Sequence, residues 1–117
     1  MRLSDKWQVA IDTKATTTTS SAINCENYDG VFIKVNEDTA VLAGSVQVFG
    51  NIQEMADTTF ADTAPDATWV AYGDAKTLAS PGNMYVCYPV PPNIKITFTH
   101  ATGTASVHVQ GFLWGSH

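Results

Sequence analysis

The segment from residue 89 to residue 114 limits the possible folds most strongly, because apolar and polar residues alternate along two runs joined by Thr102-Gly103. A period of two gives a β-strand one apolar and one polar face. Glycine tolerates the positive φ that a tight turn requires. The pattern therefore predicts two half-buried strands. Their apolar positions are Ile94, Ile96, Phe98, Ala105, Val107 and Val109.

We expect these two strands to form an antiparallel hairpin centred on Thr102-Gly103. A shift of one residue would place core-facing positions opposite solvent-facing ones, so the alternation specifies the register. The predicted pairs are Phe98 with Val107, Ile96 with Val109, Thr97 with His108, and Lys95 with Gln110.

The same alternation, or bounding turn residues, predicts further strands in the rest of the chain. They cover residues 7–11, 31–35, 45–50, 68–72, 76–78 and 84–88, while residues 16–21 form an edge strand or a loop that leads into Ile23 and Cys25. Trp69 is the expected core anchor of its strand. Residues 51–67 form one long irregular segment, which is where we expect a variable binding surface.

About eight short strands with turn signals every eight to twelve residues predict an all-β fold of one domain, residues 1–117. We expect an antiparallel two-sheet sandwich. The number of strands favours a jelly roll over an immunoglobulin-like topology.

Composition limits the possible partners. Only 15% of the residues are charged, against about 25% in typical soluble domains, so the surface must be built largely from neutral polar side chains. The net charge of -5 argues against a nucleic-acid partner. No apolar run approaches the length of a membrane span, and the first twelve residues lack the apolar core of a signal peptide. We therefore expect synthesis in a cytoplasm.

Residues with reactive side chains do not form a recognisable motif. Cys25 and Cys87 each lie in an apolar context typical of a buried free thiol, and a disulfide between them is the alternative. His100 and His108 would point to opposite sides of the predicted hairpin, so they could not share a metal ion. The sequence predicts no enzyme, no catalytic residue, no metal site and no cofactor.

The acidic residues of the long segment are interpreted as a solvated loop. They lack the spacing of a calcium-binding loop, although a calcium site and a glycosidase carboxylate pair are the alternatives. These residues are Glu54, Asp57, Asp62 and Asp66.

Several aromatic residues are candidates for a subunit interface. Four of them fall on the outward phase of their strands, and several outward aromatics on one sheet would form an apolar patch of the kind found at interfaces. The candidate interface residues are Trp7, Phe32, Phe49, Phe60, Phe112 and Trp114.

Residues 44–111 resemble small β-sandwich virion proteins of tailed phages. The resemblance rests on a Val-x-Val strand, a Trp-Val strand, a Gly-containing turn, a Pro-rich entry and a final segment that ends in Thr-Gly-Thr-x-x-Val-x-Val-x-Gly. In this chain these are Val46-Gln47-Val48, Trp69-Val70, Ser80-Pro81-Gly82, residues 89–92 and residues 99–111.

The resemblance implies a structural role in the virion without catalysis, most specifically a capsid decoration (cement) protein. The implied partners are the major capsid protein and copies of the chain itself, with a trimer expected. A carbohydrate- or receptor-binding module of the tail, with a surface glycan as ligand, is the alternative.

Overall fold

The computed structural model describes residues 2–3, 8–37, 43–51, 68–78 and 82–113. Within these ranges every regular element is a β-strand. The strands are β1 (Arg2–Leu3), β2 (Gln8–Lys14), β3 (Thr18–Thr19), β4 (Ile23–Asn24), β5 (Gly30–Glu37), β6 (Ala43–Asn51), β7 (Val70–Ala71), β8 (Lys76–Thr77), β9 (Gly82–Cys87), β10 (Asn93–Thr102) and β11 (Ala105–Leu113). The predictions for residues 52–67 concern a segment outside the described residues.

The strands form two antiparallel sheets that pack face to face. In the first sheet, β1 and β2 both pair with one side of β11, and β5 and then β9 follow on its other side. In the second sheet, β3 and β4 both pair with β10, β10 pairs with β6, and β7 and β8 both pair with β6.

β1 and β2 pair with successive parts of β11, β3 and β4 with successive parts of β10, and β7 and β8 with successive parts of β6. Each of these sets can therefore be counted as one interrupted strand. The described ranges then contain eight strands, four in each sheet, in the order of a jelly roll. The predicted all-β, two-sheet sandwich is confirmed, and its strand order is that of the favoured jelly roll.

The predicted C-terminal hairpin is wrong, because β10 and β11 belong to different sheets. Ile96 pairs with Val48 in the second sheet, whereas Val107 pairs with Val35 in the first. Gly103 does adopt the positive φ predicted for the turn, at 86°. The chain uses this turn to cross from one sheet to the other, so the apolar faces of β10 and β11 meet across the core.

The core lies between the sheets and consists of the inward-facing residues of the long strands. The apolar alternation predicted these positions correctly, since Ile94, Ile96, Phe98, Ala105 and Val107 are all fully buried. Burial of such side chains contributes about 1.5–3 kcal/mol each and is the main stabilising term of the fold. Both cysteines also belong to this core.

The outward face of β10 is buried as well, which corrects the expectation that Lys95 and Thr97 face solvent. Lys95 has an exposed fraction of 0% and Thr97 one of 6%. The Thr97 hydroxyl lies 2.9 Å from that of Thr19 on the neighbouring strand. Trp69 is buried as expected, but it lies beside Lys95 on this outer face and not between the sheets.

Candidate interaction surface

An apolar patch covers one end of the outer face of the first sheet. The inward phase of β9 is taken by Tyr85 and Cys87, so Met84 and Val86 point outward, each 56% exposed. Val86 pairs with Phe32 on β5, which places their side chains on the same face. The outer patch, as we call it, consists of Phe32, Met84, Val86, Tyr88 and Phe112.

Three aromatic rings form the centre of the outer patch. The ring centres of Phe32 and Phe112 are 4.9 Å apart, and those of Tyr88 and Phe112 are 5.9 Å apart with nearly parallel planes. Both separations lie in the favourable range for aromatic pairs. Gly30 makes room for this packing, because a Cβ atom there would lie 2.5 Å from the Phe112 ring.

Phe112 is therefore not an exposed contact residue as predicted. It does lie on the outward phase, but only 1% of it is accessible because neighbouring rings cover it. Tyr88, which is 54% exposed, presents the accessible aromatic surface of this cluster.

Of the remaining predicted interface residues, Phe49 alone lies in the described ranges, and it does not join the outer patch. Phe49 lies on β6 in the second sheet, is partly buried and pairs with Lys95 and Ala71. It is therefore on the opposite side of the sandwich from Phe32. Trp7, Phe60 and Trp114 lie outside the described residues.

β9 is the edge of the first sheet in the part of the chain that the structure describes, since it pairs there only with β5. Its sequence, GNMYVC, contains no charged residue and no proline. Natural edge strands are usually protected from unwanted pairing by Lys or Pro. By this criterion β9 is an unguarded edge.

A cleft of about 200 Å³ opens beside this edge, between β9 of the first sheet and β6 to β8 of the second. Its apolar residues include Ile33, Val46 and Val48. Asp74 and Lys76 are exposed residues of its wall. We call it the edge cleft.

Two tyrosines bridge the sheets at the edge cleft. The Tyr85 hydroxyl on β9 donates to the Thr77 carbonyl on β8, at 3.1 Å. Tyr72 directly follows β7, and its hydroxyl donates to the Pro89 carbonyl, at 2.5 Å. Both phenol protons are used in these bonds, so each hydroxyl can still act as an acceptor toward a ligand.

The two thiols are free and buried, which agrees with the favoured interpretation of the cysteines. Burial raises the pKa of the Cys25 thiol to about 12, with a further contribution from the charge of Cys87. Burial likewise raises the pKa of Cys87 to about 11. Because the thiolate is the reactive form, neither residue is suited to nucleophilic chemistry at neutral pH.

His100 and His108 lie in different sheets. His108 lies on the outer face of the first sheet, with Nδ1 3.4 Å from the Asn36 amide nitrogen. His100 lies at the end of β10 in the second sheet, edge-on to the Phe98 ring. Across the described ranges, no group of three or more His, Cys, Asp or Glu side chains is arranged to hold a metal ion.

Sequence reasoning missed Met84, Val86 and the tyrosines of the edge cleft. The alternation within residues 82–87 contained the signal for the first two, since Tyr85 and Cys87 occupy the inward phase. The edge cleft had no such signal, because its walls come from strands far apart in the sequence.

Comparisons with known proteins give no assignment. Among the described residues, no helix could span a membrane. No family model, no curated protein and no solved structure matches this chain.

Proposed function

We propose that the protein is a non-enzymatic structural protein of a phage virion, a capsid decoration protein that binds the capsid surface and copies of itself. The outer patch is the observation that carries this proposal. Exposed apolar patches bordered by polar residues mark protein interaction sites. The resemblance of residues 44–111 to tailed-phage virion proteins supplies the kind of partner.

The chemistry of the outer patch suits a contact with a large, stable partner. Removal of apolar surface from water contributes about 25 cal/mol per Å². Val86 and Tyr88 have few rotatable side-chain bonds, so less side-chain entropy is lost when they are covered than for a long flexible side chain. Binding here would hold neighbouring capsid subunits together by burying surface on both partners.

The low charge content of the chain supports the same mechanism. The interface core of stable complexes is depleted in charged residues, because each buried charge requires a partner to offset its desolvation. β9 contributes two exposed apolar side chains and no charge. A contact between β9 and the capsid surface would therefore bury no unpaired charged side chain of β9.

A thermal-stability measurement on empty capsids tests this role. Capsids of a phage that encodes the chain, stripped of decoration, are heated with and without the purified protein, and their disruption is followed by light scattering. We expect the protein to raise the disruption temperature, and Val86→Asp to abolish the increase.

Val70→Asp is the matched control, because Val70 is also an exposed valine, at 66%, but lies on β7 in the second sheet. It should stabilise capsids as well as the unmodified protein does. A disruption temperature unchanged by the unmodified protein would exclude a cementing role.

The edge cleft favours a second candidate function, a carbohydrate- or receptor-binding module. Aromatic rings bind the apolar faces of sugars, and Asp74 and Lys76 offer hydrogen-bonding groups at the same place. A glycan array tests this function. A glycan signal that is lost in Tyr72→Ala, together with no effect on capsids, would favour the binding module over the decoration protein.

A further inference from the structure

We propose that two copies of this chain associate through β9 around a two-fold axis, so that their first sheets join into one continuous sheet. The unguarded edge, the two exposed apolar side chains of β9 and the edge cleft each support this arrangement. It does not depend on whether the protein binds a capsid.

The backbone of β9 provides the first argument. In an antiparallel pair, alternate residues direct both their N–H and C=O groups away from the partner strand. In the described part of the chain, β9 pairs with β5 in an uninterrupted register from Gly82 to Cys87, and no second described strand pairs with it. A strand laid beside residues 84–87 could therefore use the backbone donors and acceptors that point away from β5.

The sequence of β9 is complementary to itself, which identifies the partner as a second copy. A two-fold axis through Tyr85 places Met84 opposite Val86 of the second copy, and Val86 opposite Met84 of the second copy. Both are apolar cross-strand pairs, which stabilise a sheet. The absence of charge in β9 means that the antiparallel arrangement brings no like charges together. Two-fold interfaces use the same surface on both subunits, as this one would.

The edge cleft provides the third argument. A strand added beside β9 continues the alternation of the first sheet, so every second residue points to the side on which the edge cleft lies. Tyr85 of the second copy would thus lie next to Tyr85 at the mouth of the cleft. One occupant would pack beside the apolar side chains outside the sheet and cover the apolar cleft inside it.

The dimer would also place two outer patches side by side on one face. If each patch binds a protein lattice, two linked patches bind more tightly than one, because the second contact forms within the same complex.

Light scattering combined with size-exclusion chromatography tests the proposal. We expect the unmodified protein to have twice the mass of one chain at high micromolar concentration and to dissociate on dilution. The double variant M84K/V86K places lysine opposite lysine twice, and should weaken the dimer by at least about tenfold.

A charge-swapped variant tests the register itself. In M84K/V86E, each lysine lies opposite a glutamate of the second copy, so the dimer should recover at least part of its strength. Val70→Lys, a lysine at an exposed valine of the second sheet, should leave the dimer unchanged. Thermal unfolding checks that each variant is folded, which we expect because all three positions are more than half exposed.

Hydrogen exchange gives an independent measurement. The amides of residues 82–87 should exchange more slowly in the dimer than in M84K/V86K, and those of β2, residues 8–14 on the far side of the first sheet, should not differ. A monomeric or trimeric unmodified protein would overturn the proposal, and so would a dimer that survives M84K/V86K. A dimer that leaves capsids unstabilised would instead count against the decoration function alone.

Discussion

Lys95 and Trp69 lie together on the outer face of the second sheet, with the Lys95 Nζ atom 5.2 Å from the centre of the Trp69 ring. Both side chains are buried, and a tryptophan face attracts a cation. We expect Trp69→Ala to lower the free energy of unfolding by about 3–5 kcal/mol, because it leaves a cavity beside a buried cation. Urea denaturation measures this loss.

The adjacent residue supplies the control for that prediction. Val70 is 66% exposed, so Val70→Ala should change the free energy of unfolding by no more than about 0.5 kcal/mol. If Trp69→Ala had as little effect as Val70→Ala, then the Lys95–Trp69 contact would not stabilise the fold.

The close approach of Gly30 to the Phe112 ring leads to a second prediction. A Cβ atom at position 30 would lie 2.5 Å from that ring and 2.8 Å from the Cys87 carbonyl oxygen. We expect Gly30→Ala to destabilise the protein by about 1–3 kcal/mol through overpacking. The midpoint of thermal unfolding is the measurement.

Shortening the aromatic side chain should relieve part of this strain. In a double-mutant cycle, the cost of Gly30→Ala should be smaller in a Phe112→Leu background, because the ring atoms are then absent. Equal costs in the two backgrounds would assign the effect to the Cys87 backbone contact instead.

The tyrosine bridges of the edge cleft give a third prediction. Tyr85→Phe removes the hydrogen bond to the Thr77 carbonyl, and Tyr72→Phe removes the one to the Pro89 carbonyl. Each should cost about 0.5–1.5 kcal/mol, because the ring stays in place and only the bond is lost. Native-state hydrogen exchange should show faster opening of residues 70–77 in both variants. Unchanged exchange there would mean that the bridges do not hold the two sheets together at this edge.

The buried thiols make stability depend on pH. The pKa of Cys25 rises from 9.0 to about 12 and that of Cys87 from 9.0 to about 11, so the folded protein binds these protons more tightly than the unfolded chain does. Their contribution to stability is therefore complete below pH 9 and is lost as the pH rises toward 11 and 12. Urea midpoints measured from pH 8 to pH 11 should fall less steeply in C25A/C87A than in the unmodified protein.

The same thiols should be protected from alkylation in the native state. Iodoacetamide requires the thiolate, which is scarce at pH 8 when the pKa is this high. Labelling should therefore follow unfolding, and rapid labelling of the native protein would contradict the burial of Cys25 and Cys87.

Much of the fold could be predicted from the period-two alternation, but the strand pairing could not. The pattern at Ile96 and at Val107 states only that one face of each strand is buried. It does not state whether the two apolar faces lie side by side in one sheet or face each other across a core. A short turn containing Gly103 suits both, so the hairpin prediction failed although both strands were located correctly.

The interaction surface was predictable in part for a related reason. Alternation places Phe32 and Phe112 on outward phases, and it would also have placed Met84 and Val86 there. The alternation does not show whether an outward side chain is buried by other side chains, because that depends on which strands are its neighbours. Phe112 is covered by Tyr88 and Phe32, and Lys95 lies buried beside Trp69. These contacts join residues that are distant in the sequence.

The positions of β10 and β11 also affect how the protein can be made. Each is an inner strand, β10 between β3 and β6, and β11 between β2 and β5. A ribosome would therefore release every other described strand before the two that join them into sheets. Neither sheet can close while residues 93–113 are still in the exit tunnel, so this domain completes its folding only after β10 and β11 have both emerged.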